Sequence, residues 1–260
     1  MTKILSWNLL RLTGATCDEV AALVRRERPD LLVMQEATEA IDRLAEKVGG
    51  HYHRSLLPGR IHGLAAWSPT PFASAPRVLR LQPGAMFERV CLILDLGPFA
   101  VANVHLSHGQ VLNRRQLRRI ADALPPRAAV LGDYNLLGPA MLPGFRDVGP
   151  REHTHRSLDL LPVRIDRCLV RGMACLGARA LGRGGSDHRP IAVYLLPTKL
   201  YRSPAVRLRL RTVKLRRVAA QKLKLGFQRQ PAEDAGQDAP RRRAVRLMAE
   251  RARPVGPGET

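Results

Sequence analysis

Along residues 1–197, apolar runs of four to eight residues alternate with helical stretches and Pro/Gly-rich turns, a length that suits strands. Residues 3–8 and 30–35 are two such runs. Between them Thr16 and Glu19 stand three apart, the spacing of a capping box in which hydroxyl and carboxylate each take a backbone N–H. A helix closed by Pro29 is predicted there. Thr38 predicts the cap of a second helix ended by Gly49 and Gly50. Residues 63–67, 72–81, 89–96 and 99–106 are rich in alternating or β-branched apolar positions and predict a meander of antiparallel strands. Apolar residues at 112, 117, 120, 121 and 124 mark one face of a helix, leaving Arg114, Arg115, Arg118 and Arg119 toward solvent. Strands at 128–131, 163–170 and 190–196 complete the pattern. Helices set among antiparallel strands predict an α/β sandwich.

Beyond residue 197 the sequence changes character. Residues 198–260 carry 17 basic and 5 acidic side chains, against 26 and 17 in residues 1–197. Such an excess favours a polyanionic partner, either nucleic acid or an anionic membrane surface, because bound phosphates release their counterions. Residues 206–211 alternate apolar and basic positions, and 213–225 can form a basic amphipathic helix, so residues 198–230 are the segment expected to meet a membrane. Tyr201 and Phe227 are the tail's aromatics, too few to stack a run of bases. The expected organisation is a domain over 1–197 followed by a basic, partly disordered tail over 198–260. No apolar run approaches the roughly 20 residues of a membrane span, and the first eight residues turn polar too early for a signal peptide. A cytoplasmic monomer is expected. Cys17, Cys91, Cys168 and Cys175 show no paired spacing and are expected as reduced thiols. His51, His53, His153 and His155 make two HxH pairs without further ligands and are expected in loops.

Several strands end in polar residues: Asn8, Gln35-Glu36, His105, Asp133-Tyr134-Asn135, Asp166 and Asp187-His188. Singly, each suits a turn, a cap or a surface ion pair, Asp166 with Arg164 or Arg167 for instance. Neighbouring strand ends share a sheet edge, however, so together they can converge on one pocket.

The ordered motifs SWN at 6–8, QE at 35–36, NVHL at 103–106, GDYN at 132–135, RID at 164–166 and SDHRP at 186–190 resemble those of the endonuclease/exonuclease/phosphatase superfamily, across residues 3–196. The resemblance implies a four-layer α-β-β-α sandwich of two mainly antiparallel sheets. It also implies hydrolysis of a phosphodiester with Mg²⁺, or Mn²⁺, as the cofactor. Glu36 is then the metal ligand with Asp187 as a second contributor, matching the one or two carboxylates such a cation commonly uses. His188 is implied as the base, oriented by Asp166. Asn135 stabilises the transition state, Asp133 positions the water or protonates the leaving oxygen, His105 bonds a non-bridging oxygen, and Asn8 orients Glu36 or the phosphate. Whether Asp133 or His188 takes the water's proton stays open. GDYNLLG departs from the inositol polyphosphate phosphatase form, and NVHLSH from the abasic-site endonuclease form. The histidine version is similar to deoxyribonucleases, tyrosyl-DNA phosphodiesterases, deadenylases and sphingomyelinases. A nuclease or DNA-processing phosphodiesterase is therefore expected, with a phospholipid or sphingomyelin phosphodiesterase, a membrane-associated phosphatase, and a non-catalytic polyanion adaptor as alternatives.

Overall fold

A computed structural model describes residues 1–84, 88–157 and 161–198. The expected tail, from residue 199 on, lies outside the described residues. Among the described residues no helix is long and apolar enough to cross a membrane.

The chain opens with β1 (Thr2–Asn8), α1 (Cys17–Glu27) and β2 (Leu31–Ala37), β1 and β2 running parallel with Asn8 beside Gln35. A 3-10 turn (Glu39–Ile41) and the short α2 (Leu44–Val48) lead into the hairpin β3 (His51–Leu56) and β4 (Gly63–Ser68), and β4 pairs antiparallel with β2. A second sheet follows from β5 (Arg77–Arg80), β6 (Val90–Asp95), β7 (Ala100–His105), α3 (Gln110–Ala123) and β8 (Ala128–Asp133), with β7 and β8 parallel across α3. Then come β9 (Arg146–Asp147), a small ribbon of β10 (His155–Ser157) and β11 (Leu161–Val163), and β12 (Asp166–Arg171) against β8. Finally β13 (Met173–Ala180) and β14 (Ile191–Pro197) return to the first sheet beside β1. The sheet orders are β13-β14-β1-β2-β4-β3 and β5-β6-β7-β8-β12-β9.

Side-chain alternation sorts these strands into layers. Ile4, Leu31 and Val33 face inward and meet Leu92, Val101 and Leu131 of the second sheet in a core between the two. Their neighbours Leu5, Leu32 and Met34 point outward, under Val20, Leu23 and Val24 of α1. Val104 and Val130 likewise face Leu117 and Ile120 of α3. Strands buried on both faces read as continuous apolar runs, and the order helix, sheet, sheet, helix is the four-layer α/β sandwich expected.

Several local expectations differ. The Thr16 capping box forms as read, whereas Thr38 makes no side-chain cap and the predicted helix shortens to a 3-10 turn and α2. The expected meander is split between sheets, with residues 63–68 in the first and 77–105 in the second. His51 and His53 lie on β3, where cross-strand pairing to β4 outweighs their polar character. The strand expected at 163–170 begins at Asp166, because β10–β11 takes residues 161–163. Cys91 and Cys168 are buried free thiols, and Cys17 and Cys175 are half-buried ones.

Two polar contacts set the relation of the sheet edges. Buried Asn103 on β7 donates to the carbonyls of Met34, at 2.9 Å, and Ala65, at 3.0 Å, across the sandwich. Its Oδ1 accepts from Gln35 Nε2 at 2.7 Å, and the same amide reaches Ser6 Oγ at 3.2 Å. Elsewhere, Glu19 of the capping box does more than cap: its second oxygen accepts the backbone N–H of Gly185 at 2.7 Å, 166 residues away. This carboxylate fastens the loop before Ser186 to the start of α1.

Asn103→Leu leaves the Gln35 amide and two carbonyls short of partners and is expected to destabilise the chain by about 2–4 kcal/mol in urea unfolding, since each orphaned buried group costs roughly 1–3; a change below about 0.5 would contradict the bridge. Glu19→Ala is expected to cost about 1 kcal/mol through loss of the reciprocal half of the capping box and to accelerate hydrogen exchange at the Gly185 amide. Unchanged exchange there would show that the loop is held by other contacts.

Candidate active site

Strand register assembles the centre. His105 ends β7 opposite Asp133 at the end of β8, and Asp133 faces Asp166 at the start of β12. Three titratable side chains thus stand in one row at one sheet edge. Gly132 makes the approach possible: at φ +140°, a Cβ there would lie 1.9 Å from the Val104 carbonyl oxygen.

From the first sheet, β1 supplies Asn8 and β2 supplies Glu36. Asn8 Nδ2 donates to Asp133 Oδ2 at 3.0 Å, while its Oδ1 accepts from Leu10 N. Between the pairs Met34–Ala65 and Ala37–Gly63 the register slips, so Gln35 and Glu36 oppose a single residue of β4. Glu36 occupies the left-handed region at φ 56°, a conformation a non-glycine residue holds at some cost and one found at functional bulges. The slip turns Gln35 into the inter-sheet bridge and Glu36 toward the site. Arg11 holds Glu36 Oε2 through its backbone N and guanidinium, both at 3.1 Å. Glu36 Oε1 lies 3.9 Å from His105 Nδ1, and that buried ring nitrogen has no hydrogen-bond partner.

The loop from Ser186 is pinned on both sides. Ser186 Oγ donates to Asn8 O at 2.7 Å and accepts from His188 N, and Trp7 Nε1 donates to His188 O at 3.0 Å. His188 Nδ1 then meets Asp166 Oδ2 at 2.8 Å, both side chains buried. Thr154 Oγ1 receives the backbone N–H groups of Ile165 and Asp166 and fixes that corner. On its other side, His188 Nε2 is 3.5 Å from Asn8 Nδ2 and 3.8 Å from Asp133 Oδ2.

The two central histidines differ in charge. Burial opposes the charge on His188 more than any other single influence, but Asp166, Asp133 and Asp187 together outweigh it and raise its pKa to about 9. For His105, burial acts first, and Arg89 and His188 add to it, so its pKa falls well below the imidazole range. Asp133, raised chiefly by burial, sits at about 6 even with His188 drawing it down. The site therefore holds an imidazolium, a neutral imidazole and a carboxylate of unusual basicity within one pocket.

All eight residues expected from sequence have defined places, and Asn8, His105, Asp133, Asp166 and His188 form one contact network. Asn135 joins it through its backbone N–H to Asp133 Oδ1 at 2.8 Å and its amide to Leu106 O at 2.9 Å. It is left-handed, φ 47°, so the chain turns at this residue. Asp187 lies against His155, Nε2 to Oδ2 3.1 Å, and the cluster it forms with His155 and His188 does not include Glu36. Asp166 is buried, and Arg164 and Arg167 pair with Asp147.

Sequence reasoning missed two residues here. His155, read as a loop residue, is on β10 with its ring centroid 4.4 Å from that of His188. Nothing in its local sequence marks it; only the β10 bridge to His188 does. Arg89 is buried, close enough for Asp133 and Glu36 to favour its charge, with desolvation the larger influence, downward. An arginine heading the apolar run 90–94 was a legible signal, because such a cation is rarely buried unless paired.

Comparison with functionally curated proteins gives no match. Among solved structures, a functionally unknown conserved protein from Enterococcus faecalis V583 is similar at 19% identity and TM-score 0.63, over 75% of this chain and 99% of that one. A truncated Caenorhabditis elegans TDP2 is similar at 19% identity and TM-score 0.58, over 75% and 97%. The mannosyl-6-phosphatase Bt3783 of Bacteroides thetaiotaomicron is similar at 16% identity and TM-score 0.62, over 75% and 100%. Residues 5–188 match the profile of the Endonuclease/Exonuclease/phosphatase family. With that match spanning more than half of its length and carrying every motif of the pocket, the chain belongs to the endonuclease/exonuclease/phosphatase family.

Proposed function

We propose that this chain is a divalent-metal-dependent phosphodiester hydrolase acting on nucleic acid. The observation that carries the reading is the buried His188–Asp166 pair facing the Asp133 carboxylate across 3.8 Å. Family membership supports phosphoester hydrolysis, and the net charge of +21 supports a polyanionic substrate.

A hard cation fits the donor set. Glu36 is lifted out of its strand by the bulge, with one carboxylate oxygen held by Arg11. Mg²⁺ or Mn²⁺ would be held through Glu36, since such ions commonly use one or two protein carboxylates. Bound there, the cation supplies neutralisation of the phosphate charge. Asp187, the second contributor expected from sequence, adds to the electrostatics around His188.

The protons belong to the chain's own residues. His188 already carries its second proton in the free site, so it donates Nε2–H to a phosphate oxygen while Asp166 fixes the ring. Asp133, with Asn8 and the Asn135 N–H holding its carboxylate in place, accepts the proton of the attacking water. The resemblance implied His188 as base and left the water's proton open between it and Asp133; the three carboxylates around His188 favour Asp133. A pKa near 6 suits Asp133 to general-base work near neutrality. Asn135 and neutral His105 face the remaining phosphate oxygens.

A second reading, phosphomonoester hydrolysis, is favoured by the similarity to the mannosyl-6-phosphatase Bt3783. Residues 1–197 form the catalytic domain in either case, and the basic residues 198–260 add affinity for nucleic acid.

Purified chain, with Mg²⁺ and with EDTA, is assayed on single- and double-stranded DNA, RNA, sphingomyelin, a bis-aryl phosphate and mannose 6-phosphate. Metal-dependent cleavage of a nucleic acid and the bis-aryl diester is expected; turnover of mannose 6-phosphate alone would establish the second reading. His188→Ala and Asp166→Asn are each expected to lower kcat on the diester by at least about a hundredfold, with the double variant little worse, because residues acting as one unit are strongly non-additive. Multiplicative losses would mean that Asp166 only holds structure. On DNA, a chain ending at residue 198 should show a shallower dependence of affinity on salt, by about 0.9 for each phosphate that the tail neutralises in the full-length chain; an unchanged slope would remove the tail from substrate binding.

A further inference from the structure

His155 takes no part in the reaction above, yet its ring Nε2 points at the same carboxylate that flanks His188. One ligand atom from each of His155, Asp187 and His188 lies within 4.8 Å of the other two. His155 Nε2 is 3.1 Å from Asp187 Oδ2, and Asp187 Oδ1 is 4.0 Å from His188 Nε2. A tetrahedral ion with bonds of about 2.0–2.2 Å places neighbouring donors about 3.3–3.6 Å apart, so side-chain rotation has to close only the wider pairs. Two imidazoles and one carboxylate are the donors of a borderline-soft ion such as Zn²⁺ or Co²⁺, and a poor match for Mg²⁺, which selects oxygen.

Two further features prepare the cluster for such an ion. His188 presents its opposite nitrogen, Nδ1, to Asp166 at 2.8 Å, the carboxylate–histidine arrangement that orients a metal-bound imidazole and raises its basicity. The chain also fixes His155, whose strand bridges to His188 directly. Asp133 Oδ2, 3.8 Å from His188 Nε2, adds negative potential on the remaining side.

We infer that His155, Asp187 and His188 form a second, transition-metal site, distinct from the Mg²⁺ position at Glu36, and that a Zn²⁺-class ion bound there arrests hydrolysis. The arrest rests on the proposed function: the ion takes the His188 Nε2 lone pair, displacing the proton that His188 presents to the phosphate. No bond of the substrate changes, so removal of the ion restores activity.

The full-length chain, stripped with EDTA, is titrated with Co²⁺ and followed by its visible d–d absorption. One Co²⁺ per chain in a four- or five-coordinate environment is expected, displaced by Zn²⁺ and unaffected by excess Mg²⁺. His155→Phe, which keeps a ring against His188, should weaken Co²⁺ binding at least about tenfold. Should that variant not fold, Asp187→Asn serves the same comparison. Equal affinity in the folded variant, no Co²⁺ signal in the wild type, or displacement by Mg²⁺ would each overturn the site. In parallel, Zn²⁺ is added to Mg²⁺-supported hydrolysis of the bis-aryl diester, where inhibition should need at least about tenfold more Zn²⁺ in His155→Phe. Unchanged sensitivity overturns the arrest. A wild type that binds Co²⁺ through His155 but cleaves no phosphoester leaves the site standing and removes the proposed function instead.

Discussion

The bond from His188 to Asp166 is the constraint to which the rest of the pocket answers. One partner comes from the loop before β14 in the first sheet, the other from the start of β12 in the second, so the same 2.8 Å contact joins the sheets and sets the chemistry. Burying an ion pair is expensive unless every remaining polar group is supported. The support is visible around it: Trp7, Ser186 and Thr154 fix the backbone on both sides, and Asp133, Asn8 and Asp187 complete the electrostatic surround. The network holds because the sheets are in register, which the Asn103 bridge secures deeper in the sandwich.

Strained backbone appears where the pocket requires it. Glu36 and Asn135 both sit in the left-handed region, and Gly132 lies against β7 where no side chain fits. In each case the departure from regular strand geometry aims a polar group into the edge that the two sheets share. A regular β2 would bury Glu36 or turn it to the other face, because successive strand residues alternate sides. The bulge allows Gln35 and Glu36 to serve different partners, one inside the sandwich and one in the pocket.

Much of this was legible in the sequence. The run lengths gave the strands, the Thr16–Glu19 spacing gave α1, and the polar residues closing apolar runs marked the sheet edge where they meet. Glu36, Asp133, Asp166 and His188 were legible because carboxylates and a histidine stand where apolar runs give way to loops. His155 was not, since its partner is a backbone bridge 33 residues away and local composition around it is that of a loop. Asn103 and Gln35 were seen as motif letters without a role, because a bridge between sheets depends on how the sheets stack, which no single strand encodes. The division of the meander between two sheets was hidden for the same reason. Charge states were hidden as well: His105 and His188 are the same residue type, and only the carboxylates and cations around each ring separate them.

One sheet edge holds these two buried histidines in different charge states, one cationic and one neutral. Nitrogen-15 ring correlations on the labelled full-length chain in EDTA measure it directly. At pH 7 His188 should show both ring nitrogens protonated, titrating near pH 9, while His105 shows a single protonated nitrogen. A neutral His188 at pH 7, or one titrating with an ordinary midpoint near about 6.5, would contradict the account.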